Sequence, residues 1–490
     1  MQIGFDKNLY LKKQTEGLLK RTSLFPDKLY LEFGGKLFDD YHAARILPGF
    51  DPNLKVEFLQ TLKDKLEVVF CISAKDIEHG KVREDSRMSY EKEMLRQIEC
   101  IRKLGINVSS IVITFYTGQK MADVFMSKLK DMGETVYLHC PTKGYPSDAE
   151  TIVSEEGYGK NPYIKTSAQI VVVSAPGPGS GKLGTCLCNM YHDFKAGRIA
   201  GYAKFETFPV WNLSLKHPLN VAYETATAEL GDVNMIDPYH FAAYKKRVVN
   251  YNRDIESFPI LRAVLEKITK GPSVYKSPTD MGINAIGFAI TNDALIRQAS
   301  KQEIIRRYYN INCNHKLGLV GPEVVQRMKE LMSKLKLSPE KDRPIVKIAN
   351  DTYKTTGKNN VVIQLKTGEI IIGKEKEHLC SSAAAIVNAI KKLAGISDNI
   401  KLIPENILSP ICNFKKSALK ETDANLGLNE TLVALSLTAQ LNDTVKKALD
   451  KLPELSGCEA HANYMLSEYN VKLLKRLGIN ITMEPRYKKQ

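Results

Sequence analysis

Tryptophan is nearly absent from this chain: Trp211 is the only one in 490 residues. Cysteine is sparse, nine in all, and no Cys/His group has the spacing of a zinc site. Cys71, Cys100 and Cys140 fall in apolar or helical patterns, which reads as buried thiols. Cys186 and Cys188 lie two apart on a predicted helix, about 200° around its axis, so they do not converge on one ion. No metal ligand set is expected. Long apolar runs are missing too, none approaching the ~18 residues of a membrane span. The first ten residues carry Asp6 and Lys7 and no apolar signal core. A cytoplasmic protein without a membrane partner is the expectation. Neither His-Glu-x-x-His nor Gly-x-Ser-x-Gly occurs, so the sequence offers no ground for a zinc peptidase or a serine hydrolase.

What is present is a globular mixture, 43% hydrophobic and 26% charged, long enough for two or three domains. The formal charge is +15, but Lys and Arg are interleaved with Glu and Asp and form no long block. That pattern describes a solvated surface and speaks against nucleic acid, while leaving room for a basic cleft that takes a phosphorylated small molecule.

Helical periodicity alternates with β-branched runs through the first two thirds of the chain. Strands are predicted at 29–33, 67–72, 110–115, 135–139, 170–173 and 198–205, with helices between them. The alternation predicts a doubly wound parallel sheet of the α/β class, whose ligands sit outside the carboxyl ends of the strands. Gly34 to Lys36, Asp76, Thr117, Gly118 and His139 all fall at such ends. The polar stretch 140–167 is long for a loop and predicts a lid. Residues 239–250 and 255–268 read as helices.

The stretch with the densest chemistry is Ala168–Phe194. A buried strand, Ile170–Val173, is followed by Gly177, Gly179 and Gly181, and then by Leu183, Leu187, Met190 and Phe194 at helical spacing. Strand, glycine turn, helix is a layout that aims backbone N–H groups at an anion. Gly177, Gly179, Ser180, Gly181 and Lys182 are therefore the candidate phosphate-binding residues. The match to a Walker A loop is partial. Pro176 holds the first glycine position, and Leu183 holds the Ser/Thr position that would bind magnesium. The layout is P-loop-like only, and nucleotide or inorganic phosphate is the expected ligand type.

Other polar groups complete a candidate site. Lys36 and Lys276 are candidate charge-neutralising partners for the ligand, and His42 follows Lys36 as an acid/base candidate. Val233–Asp237 has the outline of a Walker B strand ending in an acid, although Asp237-Pro238 also reads as a surface turn. The polar loop Tyr275–Asn284 gathers Lys276, Ser277, Thr279 and Asp280, of which Thr279 and Asp280 also suit a helix N-terminus. Asp237 and Asp280 are candidates for base or metal-holding roles.

A charged, proline-bounded segment at 338–345 reads as a linker between an α/β domain, 1–337, and a C-terminal α+β module, 346–490. The module shows a hairpin around Lys366-Thr367-Gly368, helices at 381–393, 430–452 and 461–477, and a last strand at 479–483.

The segments Leu29–His42, Ala175–Lys182, Gly201–Pro209, Tyr275–Gly282 and Gly457–His461 together resemble a family of large bacterial cytoplasmic proteins known only as a domain of unknown function. The resemblance covers nearly the whole chain. It implies the two-part architecture and supplies little mechanism. Some members carry the label of ATP-dependent peptidase, which no motif here supports. The expectation is a binder of a nucleotide or phosphorylated metabolite, with phosphotransferase-like chemistry open. The alternative is a non-catalytic oligomeric ligand sensor or scaffold. A homo-oligomer is expected in either case.

Overall fold

In the computed structural model, which describes residues 3–83 and 88–488, the β-branched runs become strands. The chain divides into two compact units, Met1–Ser300 and Lys301–Gln490. The first unit contains β1 (Lys28–Phe33), β2 (Leu66–Ser73), β3 (Asn107–Thr114), β4 (Val136–Leu138), β5 (Ile170–Ser174), β6 (Ala200–Phe205), β7 (Asn234–Ile236), β8 (Val249–Tyr251) and β9 (Gly282–Ile283). Seven of these form one sheet in the order β4-β3-β2-β5-β1-β6-β9, and every neighbouring pair is parallel. β2 and β5 are buried at every position, as strands covered on both faces must be.

The order reverses at β5. Strands β2 to β4 step outward on one side of it, whereas β1, β6 and β9 lie on the other. A reversal of this kind opens a crevice at the carboxyl ends, where ligands of open α/β sheets bind. The loop that follows β5 is the glycine-rich one.

Three expectations in this unit change. Asn234–Ile236 is not a strand of the parallel sheet: β7 pairs only with β8, antiparallel, in a separate two-stranded sheet. The predicted helix 239–250 ends at Tyr244, where Lys245 turns into the left-handed region at φ 56°, and the chain re-enters as β8. The predicted lid, 140–167, is packed down. Ile152, Tyr158, Asn161 and Ile164 are buried. The Asn161 and Ile164 carbonyls accept from His192 and Asn189 of the helix Lys182–Lys195, far from its N-terminus. The stretch therefore covers the opposite end of that helix from the glycine loop.

The second unit adds β10 (Asn360–Gln364), β11 (Ile370–Lys374), β12 (Glu459–Ala462) and β13 (Asn480–Met483) in the order β11-β10-β12-β13. β10 and β11 form the predicted hairpin, and β12 and β13 run parallel with the helix Glu468–Arg476 between them. His461 thus lies on a strand instead of opening a helix, and the helix starts only after Ser467 caps it. The predicted helix 430–452 is two helices, Leu428–Ala439 and Asp443–Leu449, separated where the Asn442 side chain caps the second. The segment 338–345 carries a helical turn, Pro339–Asp342, and Pro344 is the first residue of a helix to Thr356. Between them Arg343 is 1% exposed.

Candidate functional site

The glycine loop is built tightly from β5 to the helix Lys182–Lys195. A Cβ on Gly177 would stand 2.3 Å from the Tyr90 hydroxyl, so only glycine fits there. Gly181 has φ +79° and its Cβ position lies 3.0 Å from Thr114, so conformation and space both demand glycine. The Thr114 hydroxyl donates to the Ser180 carbonyl at 2.9 Å, and the Ser180 hydroxyl donates to the Gly177 carbonyl at 2.9 Å. Arg83 donates to the Pro176 carbonyl at 3.2 Å. Gly181 is the N-cap residue and no side chain caps the helix, which leaves its first-turn N–H groups without a side-chain acceptor. Lys182, half-buried, is the first helical residue.

Next to this loop the sheet edge carries a cluster of charge. Glu32 of β1 is in register with Val173 of β5 and with Lys204 of β6. Tyr30, two residues earlier on the same face, donates to Asp193 of the helix Lys182–Lys195 at 2.6 Å, which places Glu32 on that helix's side of the sheet. The Tyr202 hydroxyl donates to Glu32 at 2.8 Å. Lys204 pairs with Glu206 at 3.0 Å and with Asp254, which stands in the first turn of the helix Asn252–Thr269. Burial pushes the buried thiols of Cys71 and Cys186 up, Cys71 to about 12. Lys182 pulls both down and Glu32 pushes both up, so these two charges flank one pair of thiols.

Two carboxylates, Glu206 and Asp254, thus share the Lys204 ammonium in contact, and the charge of a third, Glu32, acts on it from the neighbouring strand. They cannot all ionise cheaply in a desolvated corner. Glu206 carries the consequence. Burial pushes its carboxyl up, Lys204 pulls it back, and Asp254 and Glu32 push again, leaving it raised to about 7. Its side chain is 11% exposed, against 25% for Lys204 and 27% for Asp254, so the corner opens to solvent. Gly282 of β9 makes room for it, since a Cβ there would lie 2.6 Å from Glu206 Oε2.

The other predicted residues make plainer contacts, and His139 lies beyond β4 at the opposite edge of the sheet. The His42 ring stands edge-on to Tyr223 at 5.9 Å. Burial pushes up the Tyr223 hydroxyl, which feels the charges of Asp40, Asp232, Lys204 and Glu206, so one ring separates His42 from the cluster. The Lys36 carbonyl accepts from buried Lys55 at 2.9 Å, and Lys55 also pairs with Asp40 at 2.9 Å. Asp237 is fully buried and capped: it accepts from the His240 N–H at 3.0 Å and from the Thr279 hydroxyl at 2.6 Å. Asp280 accepts from the Tyr244 hydroxyl and the Lys276 N–H, each at 2.9 Å, and the Lys276 ammonium lies 5.7 Å over the Tyr244 ring. Asp237, Asp280 and Lys276 are therefore brought together with one another, on the loop that leads into Gly282. His139 is buried with its Nε2 3.1 Å from the Pro162 carbonyl, and burial lowers it to about 4. Among the described residues no group of three or more His, Cys, Asp or Glu has the arrangement of a metal site.

The comparisons with known proteins match the full length of the chain. Residues 3–336 fit the model of the domain of unknown function DUF1846, N-terminal, and residues 341–490 fit its C-terminal counterpart. The chain belongs to the DUF1846 family. It is 51% identical over 495 residues to a UPF0371 protein of Clostridium botulinum (strain Eklund 17B / Type B), covering 99% of this chain and 98% of that one. A UPF0371 protein of the Alaska E43 strain is 51% identical with the same coverage, and one of the Kyoto strain 50%. Among the described residues, no helix is long and apolar enough to cross a membrane.

For this DUF1846 chain, sequence reasoning passed over Glu32, Lys204, Glu206 and Asp254. A signal was there: Glu32, Lys204 and Glu206 are charges at the carboxyl ends of otherwise apolar parallel strands, where burial makes charge expensive.

Proposed function

We propose that the carboxyl edge of the seven-stranded sheet binds a nucleotide or another phosphorylated metabolite and carries out phosphotransferase-like chemistry on it. The uncapped first turn at Lys182 and the Lys182 ammonium receive the phosphate. Lys204 offsets charge that develops on transfer. Glu206, near half-ionised at neutral pH, takes the proton of the attacking hydroxyl. The observation that carries this reading is Glu206: a carboxyl raised to about 7 at the edge of a parallel sheet, beside an anion-ready helix start. Lys36, His42, Lys276, Asp237 and Asp280 belong to the surrounding shell of the same reading. The phosphorylated ligand is the partner, and the cytosol the compartment.

Calorimetric titration of the full chain with ATP, ADP and inorganic phosphate, with Mg²⁺ and with EDTA, tests the binding. At least one should bind, and Lys182→Ala should weaken it by roughly 10- to 100-fold, the worth of a charge-assisted hydrogen bond. Glu206→Gln should abolish turnover and leave binding within about 3-fold. Equal binding by wild type and Lys182→Ala, or none by either, removes the reading. Leu183 in place of a magnesium ligand predicts binding in EDTA.

A second reading, an oligomeric ligand sensor, is favoured by one observation. Val433, Leu437 and Leu441 follow each other at helical spacing and are 53%, 66% and 93% exposed. Such a stripe suits contact between copies of this chain. Sedimentation velocity should find an oligomer that Leu437→Glu dissociates. A monomer at all concentrations removes this reading.

A further inference from the structure

The second unit holds a cavity of about 380 Å³, lined by Glu340, Asn350, Tyr353, Lys354, Glu484 and Arg486 together with Pro485. That is in the range of small-molecule pockets, roughly 300–1,000 Å³. Its charges balance, two carboxylates against two cations, which suits a ligand bearing both signs better than a phosphate or a metal ion.

Two of these charges are fixed by one turn. Glu484, Pro485 and Arg486 leave the end of β13, and the Arg486 N–H donates to the Glu484 carbonyl at 2.8 Å. The Glu484 N–H donates to the Ala462 carbonyl at 3.0 Å, and the Arg486 carbonyl accepts from Met465 at 2.8 Å. The two side chains form no ion pair with each other, although both line the cavity.

Each is left short of a partner. The Glu484 contacts all fall on Oε1: Asn350 donates at 2.9 Å, Tyr309 at 3.4 Å, and His461 Nε2 lies at 3.4 Å. Oε2 accepts from nothing among the described residues. The Arg486 guanidinium stacks 4.3 Å over Tyr353, its Nε donates to the Asn463 carbonyl, and its Nη2 is buried without a partner. Arg486 lines the cavity with no carboxylate paired to it among the described residues, and a carboxylate is the strongest partner of a guanidinium. His461 is wholly buried, and its Nε2 reaches only the Glu484 carboxylate, at 3.4 Å.

The geometry points to a binding site for a free α-amino acid in this cavity, its carboxylate on Arg486, its ammonium on Glu484 and its side chain against Tyr353 and Pro485. This site is independent of the sheet edge of the first unit and stands or falls separately from it.

The test uses the full chain. Calorimetry against the twenty amino acids at up to ~10 mM should find one or a chemically related few that bind, a weak-to-moderate affinity being expected of so small a ligand. The methyl ester and the N-acetyl derivative of the binding amino acid should each lose at least ~10-fold, since each removes one charged end. Arg486→Gln and Glu484→Gln should do the same with circular dichroism unchanged. Because Glu484 also holds Asn350, the derivatives supply the same answer without any substitution. Absence of binding by all twenty, or an ester and an N-acetyl derivative that bind as well as the parent, overturns the proposal.

Discussion

Two charge clusters, one in each unit, make an instructive contrast. In the second unit Arg343 and Arg306 meet Glu459 and Glu303. Arg343 donates to Glu459 at 2.5 Å, to Gln302 and Thr482 at 3.2 Å, and to the carbonyls of Ala460 and Asn480 at 2.9 and 3.0 Å. Arg306 bridges Glu303 and Glu459, both at 2.7 Å. Charges match in number and the Arg343 donors are filled. Burial alone would raise the Glu459 carboxyl, but Arg306 and Arg343 hold it below its usual range. At the sheet edge of the first unit two carboxylates share Lys204 with Glu32 close by, and Glu206 goes the other way, up to about 7. A saturated, balanced network fixes a fold, whereas an unbalanced one holds a group near its titration point. That difference suits the Glu459 cluster to a structural role and is the ground on which the proposed function rests chemistry on the Glu206 cluster.

The contrast can be broken from either side. Arg343→Met should have the largest effect, lowering stability by about 3–5 kcal/mol, because it leaves Glu459 with Arg306 alone and removes a buried donor from two strand carbonyls. Denaturant unfolding followed by circular dichroism measures it, and a loss under about 1 kcal/mol would contradict the structural role. Gly177→Ala should cost about 1–3 kcal/mol by driving a methyl into Tyr90. Glu206→Gln should change stability near neutrality by no more than about 1 kcal/mol, since a neutral isostere replaces a half-protonated acid. It should also flatten the pH dependence. The folded state holds the Glu206 proton more tightly than the unfolded state, so stability falls as pH rises from the ordinary carboxyl range of 4.5 to about 7, and the variant loses that slope. Gly282→Ala should leave the fold intact, because Gly282 has an ordinary φ of −79°, yet displace the Glu206 carboxylate and lower turnover. The smallest effect concerns domain organisation. If 1–337 and 346–490 are separate domains, trypsin should cut after exposed Lys341.

Much of the first unit was legible because its strands are continuous β-branched runs between amphipathic helices. Ile170–Ser174 and its glycine turn needed only local rules. The edge cluster was less legible because its members lie far apart in sequence: Glu32, Lys204 and Asp254 meet only through the β5-β1-β6 order and a helix packed across it. Asp237 misled for the complementary reason, since a short run ending in an acid looks alike in a parallel sheet and in the β7-β8 ribbon that actually holds it. In the second unit Arg343 sat in a segment whose prolines and charges read as a linker, and no local pattern foretells that a strand pair will bury it.

The most direct measurement is the titration of Glu206 itself. Carboxyl resonances of ¹³C-glutamate-labelled protein, followed from pH 4 to 9 in wild type and in Glu206→Gln, report each glutamate separately. The account predicts one carboxyl with a midpoint near 7 that disappears in the variant, while Glu459 titrates below the ordinary glutamate range. A wild type in which every glutamate that the variant removes titrates below ~5.5 would contradict it.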